Sequence, residues 1–312
     1  MTSSQLISVV IPVYRAENCL NELCQRLLTV LPTITPSFEI LFVEDCGGDN
    51  SWDVIQCLAK QDVRIRGVRL SRNFGQHAAT LCGMACARGE WVVTIDDDLE
   101  QLPEDIPDLY LKAIQEEYSL VYAVFEERTH SLWRNVTSII ARKVFAIAIP
   151  SLNYSYSSFR IIHNHLVQKL CEFTSPFPFV DGYLSWICNQ YGTVKVTHGV
   201  RKYGGSNYNM AKLIAHTMHI FFSFSELPLR IASWLGVVSA GLGFLWMIWA
   251  IVGKMTGLIS VSGYASVIGA IAFFSGVQLM ILGVVGQYIS RINFKTSNKP
   301  LYLIREDTNF KL

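Results

Sequence analysis

Short apolar runs alternate with polar stretches of helical spacing through residues 7–95. Ile7-Ser-Val-Val-Ile-Pro-Val-Tyr14 is rich in β-branched residues and too short for a helix, and a polar stretch with helical character begins near Glu17, which predicts strand, loop, helix. The pattern recurs. Phe38 to Val43 predicts a strand followed by Asp45-Cys-Gly-Gly-Asp49 and a helix, Ile65 to Leu70 a strand before the loop Ser71 to His77, and Trp91 to Ile95 another strand. Alternating strands and helices predict an α/β domain, Rossmann-like, with a mostly parallel sheet and helices on both faces. Ligands bind such sheets beyond the carboxyl ends of the strands, and here each strand runs into a polar loop bearing Gly or Asp. Those loops are where the chemistry is expected.

The pattern changes near the C-terminus. Residues 231–253 and 265–289 contain no Asp, Glu, Lys or Arg, and each is long enough to cross ~30 Å of hydrocarbon as a helix. Buried core helices are the alternative, but such helices rarely run so far without a charge, so two transmembrane helices are expected. Arg201, Lys202, Lys212 and Arg230 precede the first, Arg291, Lys295, Lys299 and Arg305 follow the second, and Lys254 stands between. By the distribution of basic residues both ends of this hairpin face the cytoplasm. Two more segments, 132–149 and 213–227, carry apolar residues suited to lying flat on a membrane surface. The expected organisation is a cytosolic catalytic domain over 1–210, an interfacial amphipathic segment over 211–230, the hairpin over 231–290 and a basic cytosolic tail over 291–312. Met1 to Leu6 is too short for a cleavable signal, so the first domain is expected in the cytosol.

Composition agrees with a membrane segment: of 312 residues 51% are hydrophobic and 16% charged, with mean hydropathy +0.30. A net charge of +1 without a basic stripe argues against nucleic acid. Eight cysteines form no CxxC pair, so neither a disulfide framework nor a zinc site is expected.

The most informative chemistry is Thr94-Ile-Asp96-Asp97-Asp98-Leu-Glu100, where a predicted strand ends in carboxylates. Alternation along a strand would aim Asp96 and Asp98 in one direction. Hard divalent cations prefer carboxylate oxygens, and a diphosphate leaving group needs such a counter-charge. A solvated acidic turn capping the next helix is the bland alternative. Asp45, in the loop after the second strand, can accept hydrogen bonds from an imide or a ribose hydroxyl; helix capping is the alternative for Asp45 and Asp49, and suits Asp49 better.

Taken in order, Pro12-Val-Tyr14, Glu44-Asp45 with Asp49, Arg72-Asn-Phe-Gly-Gln-His77, the DxD, Arg201-x-x-Gly204-x-Ser206-x-Tyr208, the paired spans and Lys299-Pro-Leu-Tyr302 resemble family 2 glycosyltransferases of the polyprenyl-phosphate type. The resemblance covers nearly the whole chain and implies a GT-A fold. It implies a nucleotide-sugar donor, UDP-linked with UDP-glucose as first candidate, held by Pro12, Tyr14, Asp45, Gln76, Asp97, Arg201 and Ser206. It implies Mg²⁺ or Mn²⁺ on Asp96, Asp98 and Glu100, the last standing where the family has Gln. Arg128, Arg134 and Ser138 match the cluster that receives the lipid phosphate, and Arg201 with Ser206 the loop that closes over donor phosphates. Implied partners are polyprenyl (undecaprenyl) phosphate, the lipid bilayer of a bacterial inner membrane, a flippase and a downstream glycosyltransferase, and a homo-oligomer. Ala16, Cys46, Tyr154 and Tyr156 depart from the family pattern, which leaves the fine positioning of donor and acceptor open.

No general base is required. A phosphate monoester has a second pKa of about 6 and is already ionised at neutral pH. The protein must align attack opposite the leaving nucleoside diphosphate and neutralise charge, and the family implies inversion at the anomeric carbon. Two other readings stand beside this one: a membrane scaffold or inactive paralogue assisting a flippase, and a processive polysaccharide synthase, which would require a Q-x-x-R-W segment that the sequence lacks.

Overall fold

The computed structural model describes residues 6–125, 157–173, 175, 178–197, 199, 227–256, 263–297 and 299–308. Arg128, Arg134, Ser138, Tyr154, Tyr156, Arg201 and Ser206 therefore lie outside the described residues, as do the segments expected at the membrane surface apart from Leu227. The chain divides into two compact units, Met1–Met210 with Lys299–Leu312, and Ala211–Asn298.

The first unit is built on an eight-stranded sheet in the order β7-β5-β6-β4-β1-β2-β3-β8. Its strands are β1 (Ile7–Val13), β2 (Phe38–Glu44), β3 (Ile65–Leu70), β4 (Trp91–Thr94), β5 (Leu120–Phe125), β6 (Arg160–His163), β7 (Gly192–Val196) and β8 (Ile304–Asp307). Neighbours β3, β2, β1 and β4 all run parallel, as the alternating pattern predicts. Every residue of β1 and β2 is buried, which accounts for their nearly unbroken apolar sequence: a parallel strand is covered on both faces. The described helices of this unit are α1 (Leu20–Val30), α2 (Ser51–Gln61), α3 (Gln76–Cys86), α4 (Ile106–Gln115), α5 (Asn164–Cys171) and α6 (Val180–Ile187). Leu20, Leu23, Cys24, Leu27 and Val30 form the buried stripe of α1, with the spacing of one helix face.

Two strands depart from the simple alternation. β6 runs antiparallel between β4 and β5, pairing Thr94 with Arg160, so its first residues arrive at the carboxyl edge of β4. β8 lies antiparallel on β3, pairing Val68 with Asp307 and Leu70 with Ile304. The segment expected as a basic tail over 291–312 is thus part helix, up to Thr296, and part edge strand of the catalytic sheet. A four-residue strand whose partner lies more than two hundred residues away has no local period to announce it.

The second unit holds α7 (Leu227–Met255, 29 residues) and α8 (Tyr264–Thr296, 33 residues). A Cβ on Gly236 would meet Ile281, and one on Gly243 would meet Phe274, so the two helices pack antiparallel. Both contain stretches long and apolar enough to cross a membrane, Leu227–Trp249 and Phe273–Ser290. Core helices of a soluble domain would be covered, whereas Trp234 is 70% exposed and Leu279 68%. The described part of helix α7 includes Leu227 to Arg230, just before the charge-free run.

Candidate active site

Because β1 to β4 are parallel, the loops that follow them converge on one edge of the sheet, and their side chains meet there. After β1, the Tyr14 amide donates to Asp97 Oδ2 at 2.9 Å. After β2, Asp45 is buried, its two carboxylate oxygens accepting the Phe74 amide at 2.7 Å and the Gly75 amide at 2.8 Å. This clamps the loop after β3 onto the loop after β2. Gly75 has φ +91, a conformation that a side chain would strain, and it delivers Gln76 at the head of α3. Gln76 Nε2 then donates to Asp96 Oδ1 at 2.7 Å. Tyr14, Asp45, Gln76, Asp96 and Asp97 thus lie at one edge of the sheet, tied across its loops by these bonds.

Their roles are more divided than alternation suggests. Strand β4 ends at Thr94, and Leu99 turns the chain with φ +63, so the pleat that would align Asp96 with Asp98 does not extend that far. Asp96 is partly buried and held on three sides: by Gln76, by Gln101 Nε2 at 2.7 Å and by Ser158 Oγ at 2.7 Å. Gln101 Oε1 also accepts the Asp96 amide at 2.8 Å, so one side chain fixes both ends of that residue. Asp97 turns back to Tyr14, and Asp98 Oδ1 accepts the Glu100 amide at 3.1 Å. Among the described residues no three His, Cys, Asp or Glu side chains converge as a metal-binding set. Asp96, Asp98 and Glu100 are therefore not gathered into one cage among the described residues, and the left-handed Leu99 turns the chain between Asp98 and Glu100.

The electrostatics are those of a site with excess negative charge. Burial, and secondarily the neighbouring Asp98, push the Asp96 carboxyl up. Asp97 is pushed up to about 7, by burial first and then by Asp96 and Asp98, against the lowering hydrogen bond from Tyr14. Burial also raises Asp45, opposed by the amides of Phe74 and Gly75. A divalent cation fits such a place: it would offset the excess charge, and Mg²⁺ needs only one or two carboxylates when substrate phosphates complete its shell.

Backbone strain concentrates at the same edge. Among the described residues the non-glycine positions with positive φ are Arg15, Cys46, Leu99 and Glu117, and the first three sit in the loops after β1, β2 and β4. Each such residue costs about 1–2 kcal/mol, and strain of this kind gathers where a loop must hold one shape. Cys46, at φ +53, stands where glycine is common in the resembling family, and a left-handed position is where glycine is free of cost. Ala16 leaves its amide to Ser51 Oγ at 3.0 Å, while the next residue, Glu17, accepts the Asn50 amide at 3.0 Å and so braces the start of α2. Asp49 accepts the Ser51 hydroxyl at 2.7 Å, whereas the N-cap of α2 is Asn50, without a side-chain capping bond.

Ser158, Gln101 and Gly199 were not anticipated. Ser158 reaches Asp96 only because β6 runs antiparallel, and Thr94 Oγ1 donates to its carbonyl at 2.5 Å. Gly199 donates its amide to the Glu100 carbonyl at 2.9 Å, and a Cβ there would lie 2.4 Å from the Leu99 carbonyl oxygen. The chain two residues before Arg201 is thereby docked against the acidic turn.

Comparison with known proteins gives the same picture. The model of glycosyl transferase family 2 matches residues 8–171, and that of the GtrB C-terminal hairpin matches residues 227–292. An uncharacterized glycosyltransferase of Bacillus subtilis is 31% identical over 96% of this chain and 93% of its own. The undecaprenyl-phosphate 4-deoxy-4-formamido-L-arabinose transferase of Pseudomonas paraeruginosa is 30% identical over 96% of this chain and 89% of its own. A prophage-derived bactoprenol glucosyl transferase of Shigella flexneri is 30% identical over 96% and 97%. Among solved structures, glucosyl-3-phosphoglycerate synthase of Mycobacterium tuberculosis, in complex with Mn²⁺ and UDP-glucose, covers 70% of this chain and 77% of its own with a TM-score of 0.52. At 19% identity that likeness establishes the shared GT-A fold alone. The residues matched, the parallel core with its acidic turn and the paired C-terminal helices agree: the chain is a glycosyltransferase and belongs to glycosyl transferase family 2, with a C-terminal hairpin of the GtrB type.

Proposed function

We propose that the protein transfers a sugar from a UDP-linked donor, UDP-glucose as first candidate, to undecaprenyl phosphate with inversion at the anomeric carbon. The product would be a lipid-linked sugar for modification of cell-envelope glycans. The observation that carries this reading is the presence in one chain of the carboxylate turn and the apolar hairpin, in the order found in relatives whose names specify undecaprenyl phosphate or bactoprenol.

Asp45, Tyr14, Pro12, Gln76 and Asp97 would frame the nucleoside end of the donor, with Arg201 and Ser206 closing over its phosphates. Asp98 and Asp96 would hold Mg²⁺ or Mn²⁺, with Glu100 beside them. The cation supplies positive charge to the departing diphosphate. Asp96 contributes with its direction already set by Gln76, Gln101 and Ser158, so it need not reorganise on binding. Arg128, Arg134 and Ser138 would receive the lipid phosphate, whose ionised oxygen attacks the anomeric carbon as the bond to the nucleoside diphosphate breaks. A flippase, a downstream glycosyltransferase and a second copy of the chain remain expected partners.

We place the enzyme in a bacterial inner membrane with two crossings and both termini cytosolic. The basic flanks support this, and so does β8: residues before and after the hairpin belong to one compact unit, so the chain must return to the face it left. A C-terminal reporter should be active only in the cytoplasm, and activity on the outer side would overturn the assignment.

The reaction is tested with labelled UDP-glucose, Mn²⁺ and membranes supplied with undecaprenyl phosphate. A labelled lipid-soluble product dependent on the added acceptor is expected. Labelled polymer would favour a processive synthase, and no product from any UDP-sugar would favour the scaffold reading.

A further inference from the structure

We infer that the strand following the membrane hairpin, through Glu306, is a positioning element of the donor site. The inference rests on the reading of the loops after β2 and β3 as donor-binding.

Glu306 lies on β8 and touches two separate βα units. Its Oε2 accepts from Trp52 Nε1 on α2 at 3.1 Å, and its Oε1 faces Arg69 NH1 on β3 at 3.5 Å, with Arg305 Nε at the same distance. Arg69 lies 5.9 Å from the centre of the Trp52 ring, and its Nε donates to Glu44 Oε2 at 3.0 Å. Glu44 is only 1% exposed, so Arg69 is the cation that makes its burial tolerable. The other Glu44 oxygen accepts the Gly47 amide at 2.6 Å, inside the strained turn that follows Asp45. One residue beyond β3, the Ser71 amide donates to the Leu303 carbonyl at 2.8 Å, fixing the start of the loop whose Phe74 and Gly75 amides meet Asp45 and whose Gln76 meets Asp96.

Glu306 therefore sets Arg69, Arg69 sets Glu44, and Glu44 sets the turn at Gly47, while the same strand braces the neighbouring loop. These contacts come from the part of the chain that follows the hairpin. The donor site is complete only when Leu303 to Glu306 lie against the end of β3 and the start of the following loop, which couples donor binding to correct insertion of the hairpin.

The test uses the full-length protein in detergent, with UDP as probe and three variants. Glu306→Ala removes both contacts, Glu306→Gln keeps an acceptor without the charge, and Thr308→Val, one residue past β8, removes the hydroxyl that accepts the Gly67 amide nearer the start of β3. Glu306→Ala should weaken UDP binding by about tenfold, the scale of one interaction between coupled residues. It should also speed amide hydrogen exchange at Gly47, Phe74 and Gly75. Glu306→Gln should recover part of both effects. Thr308→Val should lower thermal stability while leaving UDP affinity and those amides unchanged. Should Glu306→Ala fail to fold, Glu306→Gln carries the test with a smaller shift in the same direction. The inference is overturned if the Glu306 variants lose stability as Thr308→Val does while UDP affinity and exchange stay at wild-type values. A wild-type protein that does not bind UDP would instead overturn the uridine-donor reading, and the exchange measurement would still decide the role of β8.

Discussion

Replacing Asp98 with Asn should lower transfer by about 10²–10³-fold at saturating donor, the scale on which removing a charge from a preorganised site affects turnover. The substitution preserves shape. Asp98 Oδ1 accepts the Glu100 amide at 3.1 Å, and an Asn carbonyl oxygen can take that bond, so the turn should survive and the protein should insert and melt as wild type does. What is lost is one negative charge that, on the proposed reading, would help hold the cation against the diphosphate. Exhaustive EDTA should produce the same loss in the wild-type enzyme, and Mn²⁺ should reverse it there but not in Asp98→Asn. Asp96→Asn should behave differently. Its carboxylate accepts from Gln76, Gln101 and Ser158 at once, and an amide nitrogen in place of either oxygen would set donor against donor. That variant should lose thermal stability as well as activity. Wild-type turnover persisting without divalent cations would sink the metal assignment, whatever the mutants do.

How far the sequence could be read depended on the range of the interaction. Ile65 to Leu70 is predicted and found as β3, and the first, second and fourth strands differ from expectation by a residue, because a fully buried parallel strand writes its burial into every position. The convergence of Tyr14, Asp45, Gln76 and the aspartates follows from that topology alone. The division of labour among them does not. Asp97 pairs with the Tyr14 amide and Asp96 with Ser158 because β4 stops at Thr94 and β6 enters antiparallel, and neither event has a local signature. Glu306 looked like one charge in a basic tail, since its partners Trp52 and Arg69 are more than two hundred residues away. The left-handed turn at Cys46 was visible only as a departure from a pattern that favours glycine.

Asp181→Ala should destabilise the catalytic domain by about 3–5 kcal/mol, the usual cost of leaving a buried charge without its partner. Arg160 is 2% exposed and Asp181 4%, so neither charge has water to fall back on. They form an ion pair through Arg160 NH1 and Asp181 Oδ1, and Tyr122, across the β5–β6 register from Arg160, is itself buried. The Arg160 Nε has no acceptor among the described residues, so the guanidinium depends heavily on Asp181. Removing that carboxylate strands a cation in the interior. Removing both charges does not: the double variant Arg160→Met with Asp181→Leu replaces the pair by apolar volume and should recover most of the lost stability, since such exchanges are often neutral. Chemical denaturation of the detergent-solubilised protein measures both. A single variant within about 1 kcal/mol of wild type would show that water or another group compensates Arg160, and a double variant no better than the single would show that the cost is cavity and not charge. Activity should follow the fold. Strand β6 carries Ser158 to Asp96 and pairs Arg160 with Thr94, so loosening it in Asp181→Ala should disorder the acidic turn, whereas the double variant, with β6 held in register, should keep Ser158 on Asp96 and regain turnover.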